Sequence, residues 1–434
     1  MKSLLIISPH FPPVNAADMH RVRQGLSFFP QFNYTPIVMA VEPAFVETGK
    51  DDLLLKTLPK HIEIQYVKAF SSKWTRKIGL GALALRSLWF YFFKGNQLLK
   101  NKKFDLIYFS TTQFPVLILG RYWKWRFKVP YVIDMQDPWH SDFYKNKPKN
   151  ERPPKYWFSY NLNKYLEPIA MKGVAGIISV SEGYCAMLQQ RYKNITPENC
   201  TVIPFGAFEK DFEIANNLAN NSPFSILHSP FTNIVYVGRG GKDMEKALTI
   251  IFTAFKKGLA EKPELFEKVR FHFIGTSYAP GNKGVKTIEP VANAMGVEMY
   301  INEQPARIPY FETLKLLQAV DLLLIPGSED PNYTASKLYP YILAKKPILA
   351  VFSFTSSVIE ILAKTRAGEF ITFDPFNQEP QYQKEADLLF EKWSSILEQL
   401  PFTPDTNWNA FKPYTAREMT KKQADFFNKV LSKV

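Results

Sequence analysis

The chain has 434 residues, of which 46% are hydrophobic and 15% aromatic, and this length predicts two domains of about 200 residues each rather than one core. Its formal net charge of +14 calls for an acidic partner, which can be nucleic acid, anionic lipid or a phosphorylated small molecule. The two cysteines, Cys185 and Cys200, are too few for a disulfide framework and lack metal-ligand spacing, so we expect a reducing compartment such as the cytoplasm.

The first half of the chain alternates between strand-like and helical segments. The N-terminal segment MKSLLIIS is too short for the apolar core of a signal peptide, and we expect it to form the first strand. The strand-like segments lie at residues 3–8, 34–41, 62–67, 105–110, 130–135, 176–181 and 200–205. Because such alternation is typical of parallel sheets with crossover helices, residues 1–205 are predicted to form one Rossmann-like domain.

A basic and aromatic region stands out within this domain. Between Lys73 and Phe104 there are eight Lys or Arg residues and no acidic residue, and they flank an apolar run at 78–93. That run is shorter than the ~20 residues that span a bilayer, but it is long enough to lie in the bilayer surface with its basic ends on anionic headgroups. The alternative is a buried helix that covers the sheet. A helix that packs on the sheet and exposes its tip to lipid is compatible with both interpretations. The side chains expected to enter the membrane are Leu88, Trp89 and Phe92.

A second series of strands follows a polar segment. Residues 206–232 are rich in Asn, Ser and Pro and lack sustained periodicity, which predicts a linker. The later strand-like segments lie at residues 233–238, 269–275, 297–302, 320–326, 347–352 and 368–373. They predict a second Rossmann-like domain over residues 233–410, and a last helix is predicted within residues 411–434. Ligands of open parallel sheets bind at the carboxyl ends of the strands, so we expect the functional motifs in a cleft at those ends.

The segment VGRGGKDM ends the first strand of the second domain and continues beyond it. Gly238, Gly240 and Gly241 let the backbone approach a ligand closely, and the next helix directs its N-terminal amides towards that ligand. Arg239 adds a planar, permanently charged fork that matches phosphate oxygens. We therefore predict a diphosphate site, although the glycine spacing matches neither the dinucleotide fingerprint nor a Walker loop. The alternative is a tight turn with a surface arginine, in which Asp243 caps the helix.

A second polar cluster follows the buried strand that ends at Pro326. Ser336 and Lys337 open a short helix that leads to the next strand at Pro347. A hydroxyl and an ammonium group at a helix start suit phosphate or ribose oxygens. The alternative is an ordinary N-cap serine beside a solvated lysine.

The order of these segments resembles that of a known enzyme group. VGR, FHFIG and VDLLLIP followed by SKLYPYILAKKPILAV resemble the donor-binding half of glycosyltransferases of the GT-B fold, particularly the group 1 or family 4 enzymes that retain configuration and use nucleotide sugars. In the first half, ISPHFPPVNAADMHRVRQGLSFF, YVIDMQDPW and GIISVSEGYCAML are similar to segments of the same group. The resemblance covers nearly the whole chain. It implies an α/β fold of two Rossmann-like, doubly wound domains that face a central cleft, with a C-terminal helix that crosses back to the acceptor-binding N-terminal domain.

The resemblance also implies roles for residues of the donor domain. Family members hold the donor diphosphate with an Arg that matches Arg239 and often with a Lys, for which Lys242 or Lys246 is available. Two family glutamates are missing, because their positions hold Asn332 and Pro340. We expect Ser336 and Lys337 to take over nucleotide contacts, as in divergent members with a Ser-Lys signature.

Chemistry at the sugar carbon builds negative charge on the leaving diphosphate, and we expect Arg239 and Lys337 to neutralise it. In a retaining transferase, the expected type, the phosphate itself can accept the acceptor proton, whereas an inverting one needs a protein base. Asp137 is the first candidate for the base or the acceptor-positioning group, and Asp134 is the second candidate. The alternative is that either aspartate caps the turn after the strand. In the first loop, Asn15 is predicted to contact the donor, whereas Asp18 and Arg21 are predicted to contact the acceptor. Asp134 is also predicted to contact the acceptor. The alternative for Arg21 is a plain surface residue.

Other catalytic signatures are missing from the sequence. The six histidines form no metal-binding grouping, and G-x-S-x-G is absent, so we expect neither a metal nor a cofactor. The expected function is transfer of a sugar from a nucleotide diphosphate to a lipid-linked or surface-polysaccharide acceptor, by a peripheral protein on the inner face of the cytoplasmic membrane. Alternatives are an inactive nucleotide-binding scaffold, a nucleotide-sugar epimerase or phosphorylase, and a nucleic-acid binder, for which no repeated Arg-Gly unit or RNA-binding motif is present.

Overall fold

The computed structural model describes the chain except for residues 78, 143–144, 146–147, 150–151, 153–154, 219–229, 278, 280–282, 331–335, 377–381 and 434. The chain divides into two compact units. The first unit comprises Met1–Gly206 and Tyr414–Val434, and the second comprises Ala207–Pro413.

The first unit is built on a parallel sheet, to which the described residues contribute seven strands. In chain order these are β1 (Lys2–Ile7), β2 (Tyr34–Val41), β3 (Glu63–Val67), β4 (Leu106–Ser110), β5 (Tyr131–Met135), β6 (Gly176–Ser179) and β7 (Cys200–Val202). Across the sheet they lie in the order β3-β2-β1-β4-β5-β6-β7. The central strands are continuous buried runs, as is typical of parallel sheets covered on both faces. The strand order reverses between β1 and β4, and the carboxyl ends of these two strands are therefore the expected ligand side.

Helices connect these strands. They are α1 (His20–Gly25), α2 (Ser72–Thr75), α3 (Leu83–Asn101), α4 (Ile118–Phe127), α5 (Tyr156–Met171) and α6 (Glu182–Arg191). α3 and α4 approach each other closely because Gly95 has no side chain. A Cβ atom on Gly95 would lie only 2.2 Å from the ring of Trp123 in α4.

The second unit has its own parallel sheet, with six strands in the described part of the chain. They are β8 (Thr232–Val237), β9 (Val269–Ile274), β10 (Ile301–Gln304), β11 (Leu322–Pro326), β12 (Ile348–Ser353) and β13 (Glu369–Phe373), in the order β10-β9-β8-β11-β12-β13. The helices of this unit are α7 (Glu209–Asn216), α8 (Glu245–Glu261), α9 (Pro263–Phe266), α10 (Glu289–Ala294), α11 (Tyr310–Ala319), α12 (Leu338–Leu343), α13 (Ser357–Thr365), α14 (Gln383–Gln399) and α15 (Trp408–Phe411). Here the order reverses between β8 and β11.

The last helix, α16 (Ala416–Leu431), belongs to the first unit. Its Phe427 is fully buried, with its ring centroid 5.0 Å from that of Tyr108 and 5.7 Å from that of Tyr34. A Cβ atom on Gly176 of β6 would lie 2.8 Å from the side chains of Phe426 and Val430, so the helix packs directly on the strand backbone. The predicted fold class, with two Rossmann-like α/β domains and a C-terminal helix that returns to the N-terminal one, is confirmed.

The polar segment at 206–232 differs from the predicted linker in its first part. Residues 209–216 form α7, whose Phe212 and Ala215 are buried, and Tyr310 of α11 donates a hydrogen bond of 2.7 Å to Asp211. This helix is too short to show a clear period in sequence, and it is packing on α11 that stabilises it. Residues 219–229 of the predicted linker lie outside the described residues.

The two cysteines also differ from expectation. Cys185 of α6 and Cys200 of β7 are joined by a disulfide, because α6 leads back to the edge strand that pairs with β6. Disulfides persist in oxidising compartments and are rare in the cytosol. The cysteines therefore give no support to the reducing compartment expected from their number, and the cytoplasmic location stays a prediction.

Candidate functional site

The carboxyl ends of β8 and β11 lie side by side in the second unit, at the point where the strand order reverses. Gly238 directly follows β8, whereas Gly327 and Ser328 follow β11. The two loops are joined through Asp243, whose backbone carbonyl accepts a hydrogen bond of 2.8 Å from the Glu329 amide. The loops after these strands therefore form one connected surface on the expected ligand side of the sheet.

Arg239 is held in place by Asp243. Its Nη1 and Nη2 atoms donate hydrogen bonds of 2.9 and 2.7 Å to the two carboxylate oxygens of Asp243, and Ser328 donates from its hydroxyl to the same carboxylate. Burial by itself would raise the pKa of Asp243, but the hydrogen bonds from Arg239 and Ser328 hold it below the ordinary value. Asp243 is thus an anion that orients the guanidinium group of Arg239.

Lys337 lies directly before α12 and reaches the end of β8. Its ammonium group donates to the Tyr236 hydroxyl and lies 4.3 Å from the centroid of the Tyr236 ring. The Tyr236 hydroxyl in turn donates a hydrogen bond of 2.8 Å to the carbonyl oxygen of Arg239. A Cβ atom on Gly238 would lie 2.0 Å from the Lys337 Nζ atom, so only glycine leaves room for this amine. The strand end therefore brings an amine, a phenol and a guanidinium group together.

The electrostatic state of Lys337 follows from this setting. Burial first, and then the positive charges of Arg239 and Arg307, lower the pKa of Lys337 to about 7. Positive groups held this close repel one another, and an anion bound among them would favour the protonated amine. The arrangement is suited to binding a phosphate or diphosphate group.

In the first unit, Asp18 forms the centre of a buried polar cluster. His10 Nδ1 lies 2.9 Å from its Oδ1, while the Thr111 hydroxyl and the Thr112 amide donate to Oδ2 over 2.8 and 3.0 Å. Gln136 donates over 3.2 Å to the Asp18 carbonyl oxygen. His10 follows β1 and the threonines follow β4, so this cluster occupies the reversal point of the first sheet.

Comparisons with known proteins establish the fold of the chain, and a family model matches part of its length. A family model described as Glycosyltransferase Family 4 matches residues 68–207, which lie almost entirely in the first unit. HepE of Anabaena, solved with UDP and glucose, has a TM-score of 0.59 at 13% identity, covering 99% of this chain and 100% of that chain. The chain has the GT-B fold.

Two further GT-B proteins show the same similarity over the whole chain. A UDP-forming trehalose-phosphate synthase from Burkholderia xenovorans, in complex with glucose-6-phosphate, has a TM-score of 0.60 at 12% identity, covering 98% of this chain and 99% of that chain. WaaG, described as a glycosyltransferase involved in lipopolysaccharide biosynthesis, has a TM-score of 0.52 at 17% identity, again over 98% and 99%. No curated protein matches the chain. The resemblance to GT-B glycosyltransferases stated from the sequence is confirmed, and at these identities the solved structures establish the fold alone.

The predicted donor residues of this GT-B chain fall into two groups. Arg239, Lys337 and Gly238 come together, as described above. Lys242 and Ser336, by contrast, are exposed, and the described residues provide no hydrogen-bond or ion-pair partner for either side chain. Gly240 and Gly241 complete the turn, where a Cβ atom on Gly240 would lie 2.2 Å from the hydroxyl of Thr287. The sequence did not single out Tyr236 or Ser328, which support the amine and the carboxylate of this site.

The predicted acceptor residues are placed differently from expectation. Arg21 and Asp134 are fully buried and form an ion pair of 2.9 Å, while Arg21 also donates to the carbonyl oxygens of Ile203 and Pro204 over 2.8 and 3.2 Å. Asp18 is only 3% exposed. The prediction that these three residues contact the acceptor is wrong, since tertiary contacts occupy their charged groups inside the unit.

Asp137 and Asn15 remain open to a ligand. Asp137 is exposed after β5, although partial desolvation, and secondly the charge of Asp18, raise the pKa of its carboxyl group. Asn15 is partly exposed in the loop after β1, and its backbone N–H donates a hydrogen bond of 2.8 Å to the Gly49 carbonyl oxygen. Both residues keep the roles predicted for them as predictions.

An aromatic surface lies on α3 and α4 of the first unit, made of Trp89, Phe92, Phe93, Tyr122 and Trp125. Neighbouring ring centroids along it are 4.6 to 6.1 Å apart. Trp89, Phe93 and Trp125 are 60%, 51% and 68% exposed. Leu88 and Phe92, which were predicted to enter the membrane, are partly buried against the core instead, because the sheet lies on their side of α3. Phe93 and Trp125 take their place as the exposed apolar groups.

Two searches of the described residues complete the site. Within this part of the chain, no three His, Cys, Asp or Glu side chains come close enough to hold a metal ion. None of its helices is long and apolar enough to cross a bilayer.

Proposed function

We propose that this protein is a glycosyltransferase that moves a sugar from a UDP-sugar to an acceptor hydroxyl. One observation carries the proposal: Arg239 and Lys337 converge on the glycine-lined end of β8, at the strand reversal of the second GT-B unit. UDP as the nucleotide is supported by similar structures that were solved in complex with UDP or UDP-glucose. The sugar that this chain transfers is left open by the proposal.

The cations act on the leaving group. As the bond between the sugar carbon and the diphosphate breaks, negative charge accumulates on the phosphate oxygens, and groups already fixed beside them stabilise it most. Asp243 and Ser328 fix Arg239, while Tyr236 fixes Lys337. The proposal includes no resident metal, because these side chains are assigned the neutralising role.

The acceptor is proposed to be lipid-linked or part of a surface glycan, and the protein to work on the inner face of the cytoplasmic membrane. The aromatic surface supports this proposal, since exposed Trp and Phe rings suit the interface between headgroups and acyl chains. Basic residues border these rings on α4 and just beyond it, where Arg121, Arg126 and Lys128 are exposed. Such residues are attracted to anionic lipids by roughly 1 kcal/mol each. No nucleic-acid partner is proposed.

Whether the configuration at the sugar carbon is retained, as the family resemblance implies, depends on whether the protein supplies a base for the acceptor proton. A retaining enzyme can leave that proton to the leaving phosphate, whereas an inverting enzyme needs a group of its own. The donor site described above serves either outcome.

The proposal is tested by titrating the purified protein with UDP and by following UDP release from a panel of UDP-sugars, with and without membrane lipid extracts as acceptor. We expect UDP to bind and at least one UDP-sugar to be turned over. Binding without turnover across the panel would instead support the inactive scaffold, and absence of UDP binding would refute the donor site.

The membrane part is tested separately by sedimentation with vesicles. We expect the protein to sediment with vesicles that contain phosphatidylglycerol and less with pure phosphatidylcholine. A triple change of Trp89, Phe93 and Trp125 to Ser should leave it in the supernatant. The matched control is a triple change to Ser at Phe354, Phe376 and Trp408, which are exposed in the second unit. Equal sedimentation of the two triple variants would contradict a membrane role for the aromatic surface.

A further inference from the structure

The disulfide between Cys185 and Cys200 fastens two lightly packed elements to each other. α6 is described in full, and its buried residues are Cys185 and Leu188. β7 lies at the edge of the sheet, pairs with β6, and has three residues that are all partly exposed. Beside it, the Ile203 amide donates a hydrogen bond of 2.8 Å to the Ser179 carbonyl oxygen. An edge strand with so few buried contacts opens easily, so the covalent link adds much to its stability.

The chain directly after β7 supports a buried charge. The carbonyl oxygens of Ile203 and Pro204 accept hydrogen bonds of 2.8 and 3.2 Å from the guanidinium group of Arg21. The same group lies 4.8 Å from the centroid of the Phe205 ring. Arg21 is fully buried in its ion pair with Asp134, and a buried charge that loses polar partners is costly. The position of β7 therefore affects how firmly Arg21 is held.

Three features of the cysteine pair suit it to reversible formation. The chain has two cysteines, so each has the other as its one possible partner within the protein. Their Cα atoms are 6.3 Å apart, which a disulfide spans without backbone movement, and two thiols can pack in the same place. Cys200 is partly exposed, which gives a small thiol access from the surface. Disulfides of cytosolic proteins are usually transient and redox-sensing.

We propose that Cys185 and Cys200 form a thiol–disulfide switch that responds to low-molecular-weight disulfides of the glutathione type. The proposal goes beyond the transferase function and rests on the cytoplasmic location proposed above. In the oxidised form β7 is locked to α6, and Arg21 keeps its carbonyl partners. In the reduced form β7 and the segment after it open more often, which loosens the first unit around Arg21. The donor site is unaffected, because its residues belong to the second unit.

The switch works by thiol–disulfide exchange in two steps. The Cys200 thiol loses its proton and its sulfur bonds to one sulfur of oxidised glutathione. The first glutathione leaves with the electron pair of the broken S–S bond and takes up a proton. The Cys185 thiol then loses its proton, its sulfur bonds to the Cys200 sulfur, and the second glutathione leaves as a thiol. Two electrons thus pass from the cysteine pair to one glutathione disulfide, and an excess of reduced glutathione reverses both steps.

The first test counts thiols in the purified full-length protein after equilibration with glutathione. Alkylation with a maleimide, followed by measurement of the intact mass, reports how many cysteines are reduced. We expect both cysteines to be alkylated in excess reduced glutathione and neither in excess oxidised glutathione, with full return when the buffers are exchanged. A disulfide that persists in excess reduced glutathione would overturn the switch, and so would two thiols that never join in oxidised glutathione.

The second test compares hydrogen exchange of the two forms by mass spectrometry. The cysteines are 15 residues apart, and closing a loop of this length changes an opening equilibrium by roughly 100-fold. We expect reduction to raise exchange of the Ile203 amide by about 10- to 100-fold and to raise exchange in α1, which carries Arg21. Peptides from β12 of the second unit should exchange alike in both forms. Equal exchange at Ile203 would overturn the effect on β7, and an unchanged α1 would overturn the effect on Arg21.

A double variant separates the switch from other effects of glutathione. Cys185→Ser combined with Cys200→Ser cannot form the disulfide, so we expect it to exchange like the reduced wild-type protein in either buffer. The matched control is Ala186→Ser combined with Thr201→Ser, which changes the neighbouring residues of α6 and β7 and should keep the wild-type response. Exchange that still follows the glutathione ratio in the double cysteine variant would contradict the proposal.

Trapping the thiols in cells tests the location on which the proposal rests. After acid quenching and alkylation, we expect both cysteines to be reduced in growing cells and joined after treatment with the thiol oxidant diamide. A disulfide already complete in untreated cells would overturn the switch. None of these measurements uses a sugar nucleotide. A protein that binds no UDP and turns over no UDP-sugar would therefore overturn the transferase function alone, whereas the thiol counts decide the switch.

Discussion

The state of Lys337 predicts that donor binding weakens as the pH rises. In the free protein the pKa of Lys337 is about 7, and a diphosphate bound beside the amine raises that pKa by favouring the charged form. Because the ligand prefers the protonated amine, affinity is full below pH 7 and is lost as the pH rises above it. If the pKa of Lys337 in the complex exceeds 8.5, the change in affinity follows the protonated fraction of Lys337 in the free protein. That fraction falls about 25-fold between pH 6.5 and 8.5, which corresponds to ~1.9 kcal/mol of binding free energy.

Calorimetric titration with UDP-glucose measures this effect, because the diphosphate of that ligand keeps its charge over the range. We expect the Kd to rise by about 25-fold at most from pH 6.5 to 8.5, and about half a proton to be taken up per UDP-glucose bound at pH 7. Lys337→Met should bind weakly at every pH, whereas Lys268→Met, a change at an exposed lysine before β9, should keep the wild-type profile. A Kd that is constant over this range, without proton uptake, would refute the assignment of Lys337 to the diphosphate.

Three other outcomes follow from the donor site. Arg239→Ala should weaken UDP binding and lower UDP release by about 100-fold or more, since it removes the fixed guanidinium and leaves Asp243 unpaired; wild-type turnover in this variant would contradict the site. Gly238→Ala should also weaken UDP binding, because the added Cβ atom displaces the Lys337 amine, whereas Gly49→Ala, with no atom within 4 Å of the new carbon, should bind UDP normally. EDTA should leave UDP release unchanged. Inhibition of UDP release by EDTA, with recovery when Mg²⁺ is added, would show that the side chains do not suffice to neutralise the diphosphate.

The strands and the donor loop could be predicted because their signals are local. Apolar runs such as that of β11 are continuous in sequence, and glycines beside Arg239 at a strand end limit what the loop can bind. The partners of these residues could not be predicted in the same way. Tyr236 lies within an apolar strand and resembles a core residue, and Ser328 meets Asp243 only because β8 and β11 are neighbours in the sheet.

The errors in the first unit have a related cause. Arg21 and Asp134 are charged residues near strand and helix ends, which in sequence look like solvent-facing groups, but each neutralises the other inside the protein. The same holds for Asp18, whose burial becomes evident only when the loops after β1 and β4 meet. On α3, a shift of the exposed face by about one position exchanged Phe92 for Phe93. A hydrophobic run without clear periodicity does not fix which side faces the sheet.

The position of α16 affects how this protein is made. Phe427 lies among Phe29, Tyr34 and Tyr108, so side chains that complete the first hydrophobic core are synthesised only after the whole second unit. The second unit, Ala207–Pro413, contains all of its own strands and can fold while the ribosome is still translating the rest of the chain. Nascent chains halted before residue 414 should therefore protect the later-made unit from protease more strongly than the earlier-made one, which reverses the usual order of folding during translation.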